Sequence, residues 1–442
     1  MLDEPARTLA VVGSGPAGLF AVEAALEIPE FARVDIYEAL PVPFGLLRFG
    51  VAPDHHKTKA VIEQFDELLS HERVRLFANV RVGNDVTLDE LRRHYDGVIL
   101  ATGASIDRWL GVPGESLSGS VSAADFVPWY SGHPESPPFE LDRVETAVVV
   151  GAGNVALDIV RLLAKSPAEM VATDIPNDVL EALGSSTVRD IHLLIRRGPL
   201  DTKFSPAELR ELGELANADL IVEPGDLSWQ DSDATIAAAP RAATSAYRLF
   251  EHWGARQPEG RPRRVHVHFW TSIDEIYGDG ERVAGVRLRH QPPGSPPEEL
   301  ELASDLVIRS IGFFGAPLLD LPFDVESGTV LHVGGRALPP DGDLAGCYVS
   351  GWIKRGPRGV IGTNRPDSVE TLTTLVDDLT ARPATGLRDD IAPLLAERGI
   401  GVVNEHGWRR IRTFEASLGA ARGTASVKVR DIGQLLRAAA GD

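Results

Sequence analysis

The 442-residue chain carries 44 Lys and Arg against 64 Asp and Glu, a formal net charge of −20, and a single cysteine, Cys347. So acidic a chain argues against general binding to nucleic acid or anionic membranes, which needs basic groups to neutralise phosphates. One cysteine allows no intrachain disulfide, no redox-active dithiol and no four-cysteine iron–sulfur or zinc site, and no metal site is assigned.

At the N-terminus Asp3 and Glu4 stand where a secretory signal would place positive charge. No uninterrupted apolar run approaches the about 18 residues of a membrane span, and the chain reads as cytoplasmic. Its length predicts two or three domains. Residues 8–12 form a short apolar run, the pattern of a strand buried in a parallel sheet. They lead into Gly13-Ser14-Gly15-Pro16-Ala17-Gly18, a helical stretch over 19–28, and a strand over 34–37 that stops at Glu38. In such a βαβ unit the first glycine permits the tight turn and the second lets backbone approach a pyrophosphate. The third lets helix and strand pack closely. Glu38, 20 residues after Gly18, stands where a carboxylate accepts hydrogen bonds from ribose hydroxyls. Without that context the same residues describe only a tight turn and a solvated strand end.

The pattern returns where strand 146–150 runs into Gly151-Ala152-Gly153-Asn154-Val155-Ala156 and a helix over 157–165. The next strand, 191–195, ends in Arg196 and Arg197 instead of an acid. A carboxylate repels a 2′-phosphate, whereas guanidinium groups bind it in bidentate fashion. The second site is therefore expected to take NADP and the first FAD, the alternative being an arginine pair on a solvated strand end. The 40 residues from Ala156 to Arg196 require a helical insertion over 167–183. Residues 98–103 and 306–312, apolar runs ending near a glycine, bracket this second unit and read as crossings between domains. The expected fold is α/β, with two Rossmann-like dinucleotide-binding domains and the NADP domain inserted into the FAD domain. The FAD domain spans 1–103 and 312–442, with a C-terminal extension from about residue 381, and the NADP domain spans 104–311. Residues 291–297 form a proline-rich surface turn, a helix covers 367–379, and beyond Arg382 two helices and little chemistry are expected.

Several strings resemble the adrenodoxin-reductase family of ferredoxin–NADP reductases. They are Pro41-Val42-Pro43-Phe44-Gly45-Leu46-Leu47-Arg48, Gly50-Val51-Ala52-Pro53-Asp54-His55, Gly151-Ala152-Gly153-Asn154-Val155-Ala156-Leu157-Asp158 and Arg196-Arg197-Gly198-Pro199, together with the run from Gly351-Trp352 through Gly359-Val360-Ile361-Gly362-Thr363-Asn364. The tail string Glu405-His406-Gly407-Trp408 is similar to bacterial members. The resemblance implies an NADPH-dependent ferredoxin reductase: hydride passes from NADPH to FAD, and single electrons leave to an iron–sulfur ferredoxin. It places FAD on Ala17, Glu38, Leu46, Val82, Trp352, Gly359, Val360 and Ile361, and NADP on Arg108, Asn154, Val155, Ala156, Arg196, Arg197, Glu208 and Gly359. Gly13, Gly15, Gly18 and Gly153 are the glycines of the two loops.

Such chemistry needs no protein nucleophile, because the cofactors carry it and the protein orients them. The glycines of 359–362, ahead of a helix expected to begin after Pro366, let backbone N–H groups and a positive helix end face the flavin. Trp352 reads equally as an ordinary core tryptophan or as a flat partner for the flavin ring. Ser205-Pro206-Ala207-Glu208 alone reads as a capping box. The resemblance instead puts Glu208 beside the nicotinamide amide, in contact with His55, as an orienting group. His55 then serves as a proton route or hydrogen-bond partner near the flavin, although its neighbour His56 fits a solvated loop.

Acidic ferredoxin requires a local basic patch. Arg241, Arg248, Arg256, Arg261, Arg263 and Arg264 against Glu251 and Glu259 give residues 241–264 a local charge of +4, and this stretch is the docking candidate. The alternative is a solvated helix and turn. A disulfide reductase is excluded by the lone cysteine. A flavin monooxygenase-like enzyme and an FAD/NADPH-binding redox sensor remain as other readings.

Overall fold

The apolar run near the N-terminus forms the strand Arg7–Val12, in which Leu9, Ala10 and Val11 have no exposed surface. A computed structural model describes residues 6–55, 60–227, 233–318, 321–338, 346–381 and 388–441, so Asp3, Glu4 and His56 lie outside the described residues. The chain divides into two units, Met1–Ile106 with Phe313–Asp442, and Asp107–Gly312.

The first unit is built on a seven-stranded sheet. Val74–Ala78, Phe31–Glu38, Arg7–Val12, Gly97–Leu100 and Cys347–Val349 lie side by side and parallel, and two short antiparallel strands extend the far edge. Helix Pro16–Leu26 follows the first strand, with Pro16 in the first turn, where a missing N–H costs nothing. Helix Asn364–Thr380 packs beside it, and the Ser368 hydroxyl donates to the Ala17 carbonyl at 2.9 Å. That helix starts at Asn364, three residues earlier than expected, because proline is tolerated in a first turn.

The tail differs from expectation. It holds three helices among the described residues, Ala392–Glu397, Glu405–Arg422 and Ile432–Ala440. Val403, Trp408, Ile411 and Leu435 belong to the same core cluster as Leu9, Val11 and Phe44. The tail is therefore part of the first unit's core.

The second unit has a six-stranded, wholly parallel sheet in the order Ser120–Ser122, Leu306–Arg309, Thr146–Val150, Asp190–Leu194, Arg263–His268, Ala218–Val222. Helix Asn154–Ala164 leaves the glycine loop, and the insertion before the next strand forms two short helices, Pro167–Met170 and Asn177–Gly184. A three-stranded antiparallel sheet, Thr271–Asp279, Arg282–His290 and Glu298–Ala303, covers part of one face. Its Ile273, Ile276, Val286 and Leu288 pack on Val148, Val150, Leu194 and Val307. Among the described residues no helix is long and apolar enough to cross a membrane.

Candidate functional site

The three glycines of the first loop do three separate physical jobs. Gly13 sits at φ +104°, where a Cβ would come 2.5 Å from the Ala101 carbonyl oxygen, so only glycine makes this turn without strain. A Cβ on Gly18 would stand 1.9 Å from the Gly13 carbonyl oxygen, so this glycine lets the helix close onto the strand. A Cβ on Gly15 would meet nothing within 4 Å. The backbone there faces open space at a helix N-terminus, which suits a pyrophosphate.

Glu38 ends the neighbouring strand. One carboxylate oxygen accepts from the Ser14 hydroxyl at 2.5 Å and the Ser14 N–H at 3.3 Å; the other accepts from the Leu40 N–H at 3.1 Å. A carboxylate has about four acceptor positions, so capacity remains for a sugar hydroxyl. Burial pushes the Glu38 carboxyl above the usual range, and these donors oppose that rise. The fully buried Ser14 also accepts from the Phe44 N–H at 3.1 Å. It thereby ties the glycine loop, the acid and the loop carrying Leu46 into one structure. Ser14 was not singled out in the sequence, since the middle position of G-x-G carries no type preference.

On the same unit, Gly351 at φ +79° presses against Ala17: a Cβ there would lie 2.4 Å from the alanine methyl. Its N–H donates to Asp367 at 2.6 Å, and the buried Lys354 ammonium bonds Asp367, Glu370 and Thr371. Trp352 follows and is half-buried, so it is not an enclosed core residue. The turn before helix Asn364–Thr380 is set by Gly359 at φ +87°, with the Val360 N–H donating to the Thr363 hydroxyl at 3.1 Å. The Asn364 amide donates to the Ile361 carbonyl at 2.9 Å and accepts from Arg355. Apolar side chains nevertheless stand in the open, Val360 at 75% and Leu46 at 42% exposure, with Ile361 and Val82 half-buried. Such a layout fits an apolar ligand ring.

In the second unit Gly151 would place a Cβ 2.4 Å from the Ser310 carbonyl oxygen, while Gly153 faces open space. Ala156, in the packing position, is fully buried. Strand pairing sets Val150 opposite Leu194, so the glycine loop and the Arg196–Arg197 pair leave adjacent strands at the same sheet edge. Both arginines are exposed, and among the described residues neither guanidinium has a hydrogen-bond or ion-pair partner. Most other arginines of this unit are engaged: Arg309 is buried with Asp107 and Glu115, and Arg161 with Asp158 and Glu211.

The Ser205–Glu208 segment is only half a capping box. The Ser205 hydroxyl accepts from the Glu208 N–H at 3.2 Å, but the Ser205 N–H donates to the Asn154 side chain at 2.8 Å. Asn154 thus occupies the donor that a capping glutamate would take, and the second loop is locked to the start of helix Pro206–Leu212. Glu208 is half-buried in the second unit, and His55 is half-buried in the first, its N–H bonded to the Ala52 carbonyl at 3.0 Å. Arg108 is exposed, with its N–H donating to the Gly312 carbonyl at 3.1 Å.

Residues 7–192 match the family model of the pyridine nucleotide-disulphide oxidoreductases. The NADPH-ferredoxin reductase FprA of Mycobacterium leprae is 39% identical, over 97% of this chain and 97% of its own. The mitochondrial NADPH:adrenodoxin oxidoreductase of Arabidopsis thaliana is 37% identical, over 97% of this chain and 95% of its own. The chain belongs to the NADPH–ferredoxin and adrenodoxin reductase family. A solved structure of Mycobacterium tuberculosis FprA in complex with NADPH superposes on 99% of this chain and 100% of that one, with a TM-score of 0.91 at 38% identity.

Within this family frame the arginine-rich stretch 241–264 splits in two. Arg261 and Arg263 donate to backbone carbonyls, of Leu215 and Ala218, and of Val188 and Lys165, and Arg264 pairs with Asp190. These three tie the start of strand Arg263–His268 into the fold. Arg241, Arg248 and Arg256 are exposed on or just beyond helix Arg241–Gly254, where Arg248 meets Glu251 and Arg256 meets His252. A carbonyl acceptor does not cancel a guanidinium's charge, so Arg261 and Arg263 still add positive potential to this stretch while being held against the fold.

The tail also carries more chemistry than expected. Arg48 is buried against Glu415 at 2.5 Å, the Lys428 ammonium donates to the Arg48 carbonyl at 2.6 Å, and Phe44 meets the edge of Trp408 at 5.5 Å. The tail therefore braces the loop that bears Leu46.

Proposed function

We propose that this protein is an NADPH-dependent ferredoxin reductase, with FAD on the first unit and NADPH on the second. When bound, the two cofactors supply the redox chemistry, hydride transfer from NADPH to FAD and release of single electrons to an iron–sulfur ferredoxin. The observation that carries the reading is the contrast between the two glycine loops: one ends at the hydrogen-bonded Glu38, the other at the unpartnered Arg196 and Arg197.

The residues divide the work. Gly13, Gly15 and Gly18 shape the loop for the FAD pyrophosphate, and Glu38 accepts from a ribose. Leu46, Val82, Trp352, Gly359, Val360 and Ile361 form the surface for the isoalloxazine. The N-terminus of helix Asn364–Thr380 favours negative charge on the pyrimidine side of that ring. Gly153, Asn154, Val155 and Ala156 open the helix that faces the NADPH pyrophosphate, while Arg196 and Arg197 grip the 2′-phosphate and Arg108 supports the nucleotide. Glu208 orients the nicotinamide amide, and His55 serves as the hydrogen-bond partner and proton route near the flavin. A ferredoxin docks by Arg241, Arg248 and Arg256, and its iron–sulfur centre is on that partner. The reaction is assigned to the cytoplasm.

An anaerobic titration tests the assignment. The purified protein should be yellow, and one equivalent of NADPH should bleach the flavin far faster than NADH does. A colourless protein, or a flavin that NADPH leaves oxidised, overturns it.

A further inference from the structure

One cluster in the second unit lies outside the residues assigned above to nucleotide binding. Strands Asp190–Leu194 and Arg263–His268 are parallel neighbours, with Asp190 opposite Arg264 and His192 opposite His266. Side chains alternate along strands, so Asp190, His192, Arg264, His266 and His268 share one face. It is the face on which Val148, Val150 and Leu194 are covered by the small antiparallel sheet. Beyond those aliphatic residues the face turns polar. His192 is 9% exposed, and the side chains of His266 and Asp190 are 23% and 21% exposed, so water and small ions reach them.

Two imidazoles and one carboxylate are gathered here, although the rings are not yet aimed at one point. The His192 and His266 rings stack with centroids 4.5 Å apart and only 7° between planes. His266 Nε2 lies 2.9 Å from an Asp190 oxygen, and His192 Nδ1 lies 2.9 Å from His268 Nε2. One ligand atom from each of Asp190, His192 and His266 falls within 4.8 Å of the other two. With metal–ligand bonds of about 2.0–2.1 Å, tetrahedral ligand atoms stand roughly 3.3 Å apart, and because the in-plane lone pairs of stacked rings run parallel, the His266 ring must also turn out of the stack to share an ion with His192. His268 is placed to hold the far nitrogen of His192, the second-ring support that metal-bound histidines usually have.

We propose that Asp190, His192 and His266 form a binding site for one divalent transition ion of the zinc class, with water as the fourth ligand. Two imidazoles and one carboxylate suit Zn²⁺, whereas Ca²⁺ and Mg²⁺ prefer all-oxygen shells. Binding takes the place of the His266–Asp190 hydrogen bond. It also draws Asp190 away from Arg264, whose side chain is half exposed and free to swing outward. The site is remote in kind from electron transfer and carries no redox role: the ion crosslinks two strands of the sheet.

The test uses the full-length, FAD-loaded protein, stripped with a chelator and titrated with Zn²⁺ in competition with a chromophoric chelator. The expected result is one Zn²⁺ per chain. His192→Gln and His266→Gln should each abolish this binding, and His268→Gln should weaken it about 10- to 100-fold. Arg264→Gln should tighten it, because the rival cation for Asp190 is gone. His266 is partly exposed at its strand face, so His266→Gln should fold normally, as circular dichroism and the flavin spectrum will report. X-ray absorption should show a nitrogen and oxygen shell with imidazole scattering. Binding that survives His266→Gln at wild-type strength, or no stoichiometric Zn²⁺ in the wild type, overturns the proposal.

Discussion

Replacing Arg196 and Arg197 together by alanine should separate NADPH from NADH. Each guanidinium–phosphate contact is a charge-assisted hydrogen bond, worth about 1.5–3 kcal/mol when well made. Both side chains are exposed, which puts each contact at the lower end of that range. Two contacts at about 1.5 kcal/mol make about 3 kcal/mol, and about 1.4 kcal/mol per tenfold turns this into a loss of roughly 100- to 200-fold in NADPH affinity. NADH has a hydroxyl at the 2′ position and should change by no more than about twofold. Both side chains are exposed and neither has a hydrogen-bond or ion-pair partner among the described residues, so unfolding stability should move by less than about 0.5 kcal/mol. Flavin bleaching titrated with each cofactor at two ionic strengths measures this, and the NADPH difference should shrink at high salt. Equal losses for the two cofactors, or a large fall in stability, would refute the reasoning.

Three other outcomes follow from the same geometry. Gly15→Ala should fold as well as wild type yet hold FAD less tightly, whereas Gly18→Ala, with its Cβ 1.9 Å from a carbonyl oxygen, should lose stability; thermal unfolding and retained flavin compare them. Glu415→Ala leaves Arg48 buried without its partner and should cost about 3–5 kcal/mol in urea unfolding of the first unit. Arg398 and Arg75 hold the Glu90 and Asp390 carboxyls down to about 2, so these two links, from the tail to the helix Leu88–His94 and to the strand Val74–Ala78, contribute above the ordinary carboxylate range and are lost as pH falls towards 2. Proteolysis of the tail should therefore rise at pH 3 relative to pH 7, and Glu90→Gln should raise it already at pH 7; a tail equally protected in all three cases contradicts the linkage.

Much of the site could be read from the chain because it is local. A glycine loop, its flanking strand and helix, and the residue ending the next strand lie close together in sequence, and their spacing follows from backbone geometry. What escaped the reading depends on partners far apart or on backbone acceptors. Arg48 and Glu415 are separated by 367 residues, so no pattern announces their pairing. Ser205 looked like the first residue of a closed capping box, but Asn154, from another helix, takes its N–H. Arg261 and Arg263 looked like surface charge and instead donate to carbonyls. The histidine stack is invisible in sequence because it needs the register between two parallel strands.

The central claim is electron transfer from NADPH to a separate iron–sulfur protein, and ferredoxin-coupled reduction of cytochrome c measures it most directly. The account predicts that NADPH drives cytochrome c reduction only when a ferredoxin is present, with a rate that saturates in ferredoxin and falls as salt rises. A flavin that NADPH bleaches but that passes no electrons to any ferredoxin of a broad panel would contradict the account and favour a redox sensor.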